Sequence, residues 1–111
     1  DLIDQFLSYL KSESAKNGDR YRIIIISYNL AYIIRRRLKE LNLAHHFEQI
    51  YDRKDVDKHG GYKKGKGNLL QSLAEKWKVD LQANTLIIDD CADVLWYAHC
   101  KTVQVSTSKG M

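Results

Sequence analysis

Two adjacent aspartates end an apolar stretch, and that pattern predicts a metal site. Asp89 and Asp90 follow residues 85–88, a run that predicts a β-strand. Neighbouring carboxylates repel each other unless a cation neutralises them, and Mg²⁺ binds one or two carboxylates together with water and phosphate oxygens. We therefore predict that both aspartates are Mg²⁺ ligands. The alternative is that they provide an N-cap and a surface acid for the helix that follows.

Two more polar groups can complete a phosphate site. Ser27 follows four consecutive isoleucines, 23–26, and Lys66 closes a stretch rich in Lys and Gly. A serine hydroxyl can hold a phosphate oxygen, and a lysine adds positive charge on the same anion. Tyr28 and Asn29, directly after the serine, are candidate substrate contacts. For Asn29 the alternative is a helix cap.

The elements that must position these residues alternate between helix and strand. The spacing of apolar residues predicts helices over 2–15, about 30–42, about 68–78 and from about residue 92, with strands at 21–27, 48–52, 85–88 and 102–105 and a polar loop at 53–67. Continuous β-branched runs are typical of strands buried on both faces of a parallel sheet. We expect a single α/β domain over residues 1–111, with its ligands at the carboxyl ends of the strands.

Composition and charge argue against nucleic-acid binding and membrane association. The net charge of +4 comes mainly from two basic clusters, Arg35–Arg37 and Lys63–Lys66. A solvated helix face and a solvated loop explain these clusters better than nucleic-acid or other polyanion binding. No apolar run approaches the roughly 20 residues that span a bilayer, so no membrane association is expected.

The cysteines and histidines lack metal-ligand spacing. Two cysteines, Cys91 and Cys100, do not make a disulfide framework, which favours a reducing compartment and a cytoplasmic location. The four histidines are predicted to be structural; they are His45, His46, His59 and His99.

The order of these motifs resembles that of the haloacid-dehalogenase superfamily of phosphohydrolases. Ser27 matches its second motif, a Ser or Thr after an apolar strand. Lys66, with Lys64 as the alternative, matches its third, a Lys opening a helix. The Asp89-Asp90 pair matches its fourth, with Asp93 as an alternative acid. The resemblance covers roughly residues 1–106.

This resemblance implies a three-layer α/β sandwich and a Mg²⁺-dependent phosphatase. In such enzymes an aspartate takes the phosphoryl group and water then hydrolyses the aspartyl phosphate. Asp89 and Asp90 would hold the metal, while Ser27 and Lys66 would orient the phosphoryl oxygens. Because residues 53–67 are too short for a large cap, an open site and a sizeable substrate such as a phosphoprotein are expected.

The sequence departs from the family at the first motif, Asp-x-Asp after an apolar strand. Asp55-Val56-Asp57 matches the Asp-x-Asp pattern, but no apolar strand precedes it in the sequence. Since the first residue is Asp1 rather than Met, we expect a segment on the same or another chain to supply the central strand and the nucleophile. The alternative is a non-catalytic fragment of this fold, or a module that binds phosphate, a protein partner or a polyanion.

Overall fold

The computed structural model describes residues 2–17 and 21–105 of the chain, which form a mixed α/β structure. The helices are α1 (Leu2–Asn17), α2 (Ala31–Glu40), α3 (Arg53–Lys58), α4 (Gly61–Trp77), α5 (Leu81–Asn84) and α6 (Ala92–Trp96), and a 3₁₀ turn covers Ala44–His46. The strands are β1 (Ile24–Ile26), β2 (Gln49–Tyr51), β3 (Leu86–Asp89) and β4 (Lys101–Gln104). The predicted α/β class is confirmed.

The chain divides into two compact units, Asp1–Asp52 and Arg53–Met111. In the first unit β1 pairs with β2, and in the second β3 pairs with β4. Both pairs are parallel, with Ile25 opposite Ile50 and Ile87 opposite Thr102. The prediction of parallel strands is therefore confirmed, while the prediction of one domain over the whole chain stays a prediction.

In the first unit, a carboxylate from the end of β2 caps α2. Among the described residues of this unit, the buried apolar side chains are Leu7, Leu38 and Leu43. The Ala31 N–H at the start of α2 donates to Asp52 Oδ2 over 3.1 Å. Asn29 Oδ1 accepts instead from the Leu30 N–H, before the helix begins. The prediction that Asn29 caps this helix is therefore wrong, since Asp52 satisfies the helical donor.

Removing this carboxylate should weaken the first unit. We expect Asp52→Ala to cost about 1 kcal/mol of stability, because an N-terminal helical N–H loses its acceptor. Asp52→Asn keeps an acceptor oxygen and should recover most of that loss. Urea unfolding checks both values, with Asn29→Ala as the control expected to stay within about 0.5 kcal/mol of the parent. A larger loss for Asn29→Ala than for Asp52→Ala would contradict the assignment.

In the second unit, the prediction of a loop over 53–67 is wrong. Helices α3 and α4 cover nearly all of it, so Lys66 lies within α4 and does not open the helix. Gly and Lys suggested a loop, but two of the glycines sit where backbone approaches closely. A Cβ on Gly65 would overlap the Val56 carbonyl oxygen, and one on Gly67 would overlap the Tyr97 carbonyl oxygen. Tertiary contact therefore outweighs the low helix propensity of glycine.

The strands are less covered than their sequences predict. The three isoleucines of β1 are half-buried. On β3 only Ile87 is buried, while Leu86 and Ile88 remain 53% and 48% exposed. The expectation of strands buried on both faces is thus wrong for the described residues. In the same residues, no helix has the length and apolarity needed to cross a membrane.

Candidate functional site

Lys66 and Asp89 form a largely buried ion pair at the carboxyl end of β3. The Lys66 ammonium donates to Asp89 Oδ2 over 2.7 Å, and the two side chains are only 11% and 9% exposed. Helix α4 supplies the lysine and strand β3 supplies the aspartate. Gly65 and Gly67 flank the lysine and let α4 approach neighbouring backbone. The close packing of α4 therefore positions the Lys66 ammonium against the end of the strand.

The carboxylate of Asp89 is held through both oxygens. Its Oδ1 accepts the Cys91 backbone N–H over 3.0 Å, so the side chain has a fixed orientation. Burial raises the pKa of Asp89, but the hydrogen bond from Lys66, the one from Cys91 and the lysine charge outweigh it, and the net pKa lies below the ordinary value. Asp89 is therefore ionised at neutral pH.

Asp90 adds a second carboxylate at the end of β3, next to the Lys66–Asp89 pair. Asp90 follows Asp89 directly and is exposed. Its backbone carbonyl accepts a hydrogen bond from the Gln104 amide, which lies at the end of the paired strand β4. Carboxylate oxygens are the hard donors that Mg²⁺ takes, with water and phosphate completing the shell. Of the two predicted Mg²⁺ ligands, Asp90 is the accessible one, while Asp89 is largely buried and bonded to Lys66 and Cys91.

A tyrosine that was not predicted lies at the same edge. Tyr62 is one helical turn before Lys66 on α4, and its hydroxyl donates to the Cys91 thiol over 3.3 Å. This hydrogen bond, followed by the charges of Cys91 and the aspartates, raises the pKa of Tyr62. The i, i+4 spacing with Lys66 was the available signal, but it has meaning only once residues 61–67 are helical.

The alternative lysine occupies a different environment. Lys64 is exposed, and its ammonium lies 5.6 Å from the centre of the Tyr97 ring. Lys66, two residues later, is the one bonded to Asp89. The geometry therefore favours Lys66 over Lys64 as the lysine of a phosphate site. Asp93, the alternative acid, lies exposed in the first turn of α6.

The other predicted site residues belong to the first unit. Ser27 follows β1 directly, and its backbone N–H donates to the Tyr51 carbonyl oxygen over 2.9 Å, which extends the strand pairing by one step. Tyr28 is half-buried and Asn29 is exposed in the turn before α2. The serine therefore lies at the carboxyl edge of its own strand pair, where ligands of α/β sheets bind. The structure brings Lys66, Asp89 and Asp90 together within the second unit.

Comparison with known proteins assigns this chain to no family. No family model, curated protein or solved structure matches this chain.

Proposed function

We propose that this chain forms most of a Mg²⁺-dependent phosphohydrolase with a three-layer α/β sandwich of the haloacid-dehalogenase type. The nucleophilic aspartate comes from a segment outside this sequence. The substrate is a phosphorylated molecule, and a phosphoprotein suits a chain with no large cap between residues 53 and 67. The competing function is phosphate or partner binding without turnover.

The Lys66–Asp89 ion pair is the observation that carries this proposal. The two residues are 23 positions apart, and the resemblance assigns them to its third and fourth motifs. A buried ion pair forms at a cost in desolvation and is weak evidence for stability alone. A functional reason for it would be that the fixed ammonium and a bound cation together attract a dianionic phosphate.

Each residue then has a distinct role in phosphoryl transfer. Asp90 and Asp89 would hold Mg²⁺, which would neutralise charge between the nucleophile and the phosphoryl group. Lys66 uses one N–H on Asp89 and has two more to donate to phosphoryl oxygens. The resemblance also assigns a phosphate-binding hydroxyl to Ser27. Such preformed donors stabilise charge as the P–O bond to the leaving group breaks.

The incomplete cover of the strands supports an added central strand. Both β1 and β3 have one partner strand in the described part of the chain. Leu86 and Ile88 of β3 pair in register with Lys101 and Val103 of β4, and of these four the three apolar side chains are all more than 40% exposed. Interior strands of parallel sheets are covered on both faces. A strand and helix from elsewhere would supply that cover.

The test is turnover of an aryl phosphate by the full-length protein that carries this sequence, with and without Mg²⁺. We expect Mg²⁺-dependent hydrolysis. Asp90→Asn should lower kcat at least about 100-fold, because a metal ion contributes several kcal/mol to stabilising the transition state. Asp90 is exposed, so the folded protein should survive the change.

Asp57→Asn is the matched control. It makes the same chemical change on the exposed surface of α3, and it should leave the rate unchanged. Asp93→Asn tests whether Asp93, rather than Asp89, is the second metal ligand beside Asp90. Equal rates for the parent and Asp90→Asn would remove the metal-ligand assignment, and no turnover by the full-length protein would favour binding without catalysis.

A further inference from the structure

Helix α1 and the 3₁₀ turn bring two histidines and one aspartate together. His45 and His46 are adjacent in the turn, with ring centres 4.1 Å apart. His46 Nε2 lies 2.5 Å from Asp4 Oδ1. One potential ligand atom from each of the three residues falls within 4.8 Å of the others. Two imidazoles and one carboxylate are a donor set that binds transition metals in proteins.

The His46 ring is placed in a way that hydrogen bonding alone does not explain. Its side chain is 2% exposed. Its Nδ1 is buried and has no hydrogen-bond partner among the described residues. A buried polar atom left without a partner costs roughly 1–3 kcal/mol.

The surrounding side chains allow the cluster to contract onto a cation. Ligands of a tetrahedral zinc ion lie about 3.3 Å from one another, given metal–ligand distances near 2.0–2.1 Å. Asp4 is 47% exposed and His45 is exposed, so both can rotate. Lys11, also on α1, donates from its ammonium to the His45 backbone carbonyl over 2.9 Å. That bond fixes the turn against α1 without using an imidazole nitrogen.

We propose that Asp4, His45 and His46 form a zinc-binding site with one position left open to water. Imidazole nitrogen favours Zn²⁺ over Mg²⁺, which prefers oxygen ligands. This site shares no residue with the Asp89-Asp90 pair, and its metal differs.

The experiment is calorimetric titration of the metal-stripped full chain with Zn²⁺, with Co²⁺ as a spectroscopic probe. We expect saturable binding of one Zn²⁺ per chain and a Co²⁺ spectrum without thiolate charge-transfer absorption. His45→Ala and Asp4→Asn should each weaken Zn²⁺ affinity at least about tenfold, since loss of even an outer-shell partner costs 10–100-fold. Both residues are partly or fully exposed, so these variants should fold.

His99→Ala is the matched control, because it removes an exposed histidine of the second unit. It should keep the parent affinity, as should Asp90→Asn. The proposal is overturned if no saturable change appears up to about 1 mM Zn²⁺, if His45→Ala binds as the parent does, or if Co²⁺ shows thiolate absorption. If Asp90→Asn loses phosphatase activity but still binds Zn²⁺, the result supports a zinc site that is separate from the Asp89–Asp90 pair.

Discussion

Replacing Lys66 with Met should destabilise the protein by about 3 kcal/mol, the lower end of the cost of breaking a buried ion pair. Met is similar in length and keeps the apolar packing of the lysine stem, so the change isolates the loss of the ammonium. Asp89 is 9% exposed and its Oδ2 loses its 2.7 Å donor. The remaining Cys91 N–H cannot compensate for a carboxylate held out of water. Urea unfolding measures the loss.

The matched control is Lys64→Met, two residues away on the same helix. Lys64 is exposed, so we expect a change within about 0.5 kcal/mol. The double variant Lys66→Met with Asp89→Asn should be more stable than Lys66→Met alone, because it no longer buries an unpaired charge. Equal losses for Lys64→Met and Lys66→Met would contradict the ion-pair assignment, as would a double variant with no recovery.

The strands were predictable because their signal is local. The isoleucine run before Ser27 and the apolar run before Asp89 both became strands, β1 and β3. Their burial was not predictable, since Leu86 and Ile88 are apolar yet half-exposed. Exposure depends on which element packs over each face, and a single sequence carries no pattern for that contact.

The helices over residues 53–67 were missed because their cause is tertiary. Glycine lowers helix propensity by about 1 kcal/mol relative to Ala, so the composition correctly suggested a loop on local grounds. Gly65 and Gly67 instead admit the backbone of Val56 and Tyr97. The cap of α2 was missed for the same reason, because it is a tertiary contact. The Asp52 carboxylate lies 21 residues along the chain from the Ala31 N–H that it accepts from.

In the candidate phosphate site, the two aspartates could be predicted from the sequence, but the choice of lysine could not. Asp89 and Asp90 stood out because two charges end an apolar strand. The choice between Lys64 and Lys66 needed the helix, which points only Lys66 at Asp89. The contact between Asp4 and His46 could not be predicted from sequence spacing, because 42 residues separate the two side chains.

Adding one methyl group at Gly67 should destabilise the protein by about 3 kcal/mol. The new Cβ would overlap the Tyr97 carbonyl oxygen and crowd the Ala98 Cα. These are backbone atoms, so no side chain can rotate away, and the upper end of the 1–3 kcal/mol cost of overpacking applies. The same change in an open helical position would gain about 1 kcal/mol. The sign of the effect therefore reports whether the contact exists.

Ser72→Ala is the control on the exposed face of the same helix. It should raise stability by a few tenths of a kcal/mol, because Ala has the higher helix propensity. Gly67 also neighbours Lys66, so Gly67→Ala should weaken the Lys66–Asp89 pair by displacing the helix. A double-mutant cycle between Gly67→Ala and Asp89→Asn measures that coupling, which should exceed about 0.5 kcal/mol for residues acting on one ion pair. Stabilisation by Gly67→Ala would show that α4 does not approach the Tyr97 backbone, and the positioning of Lys66 would need another cause.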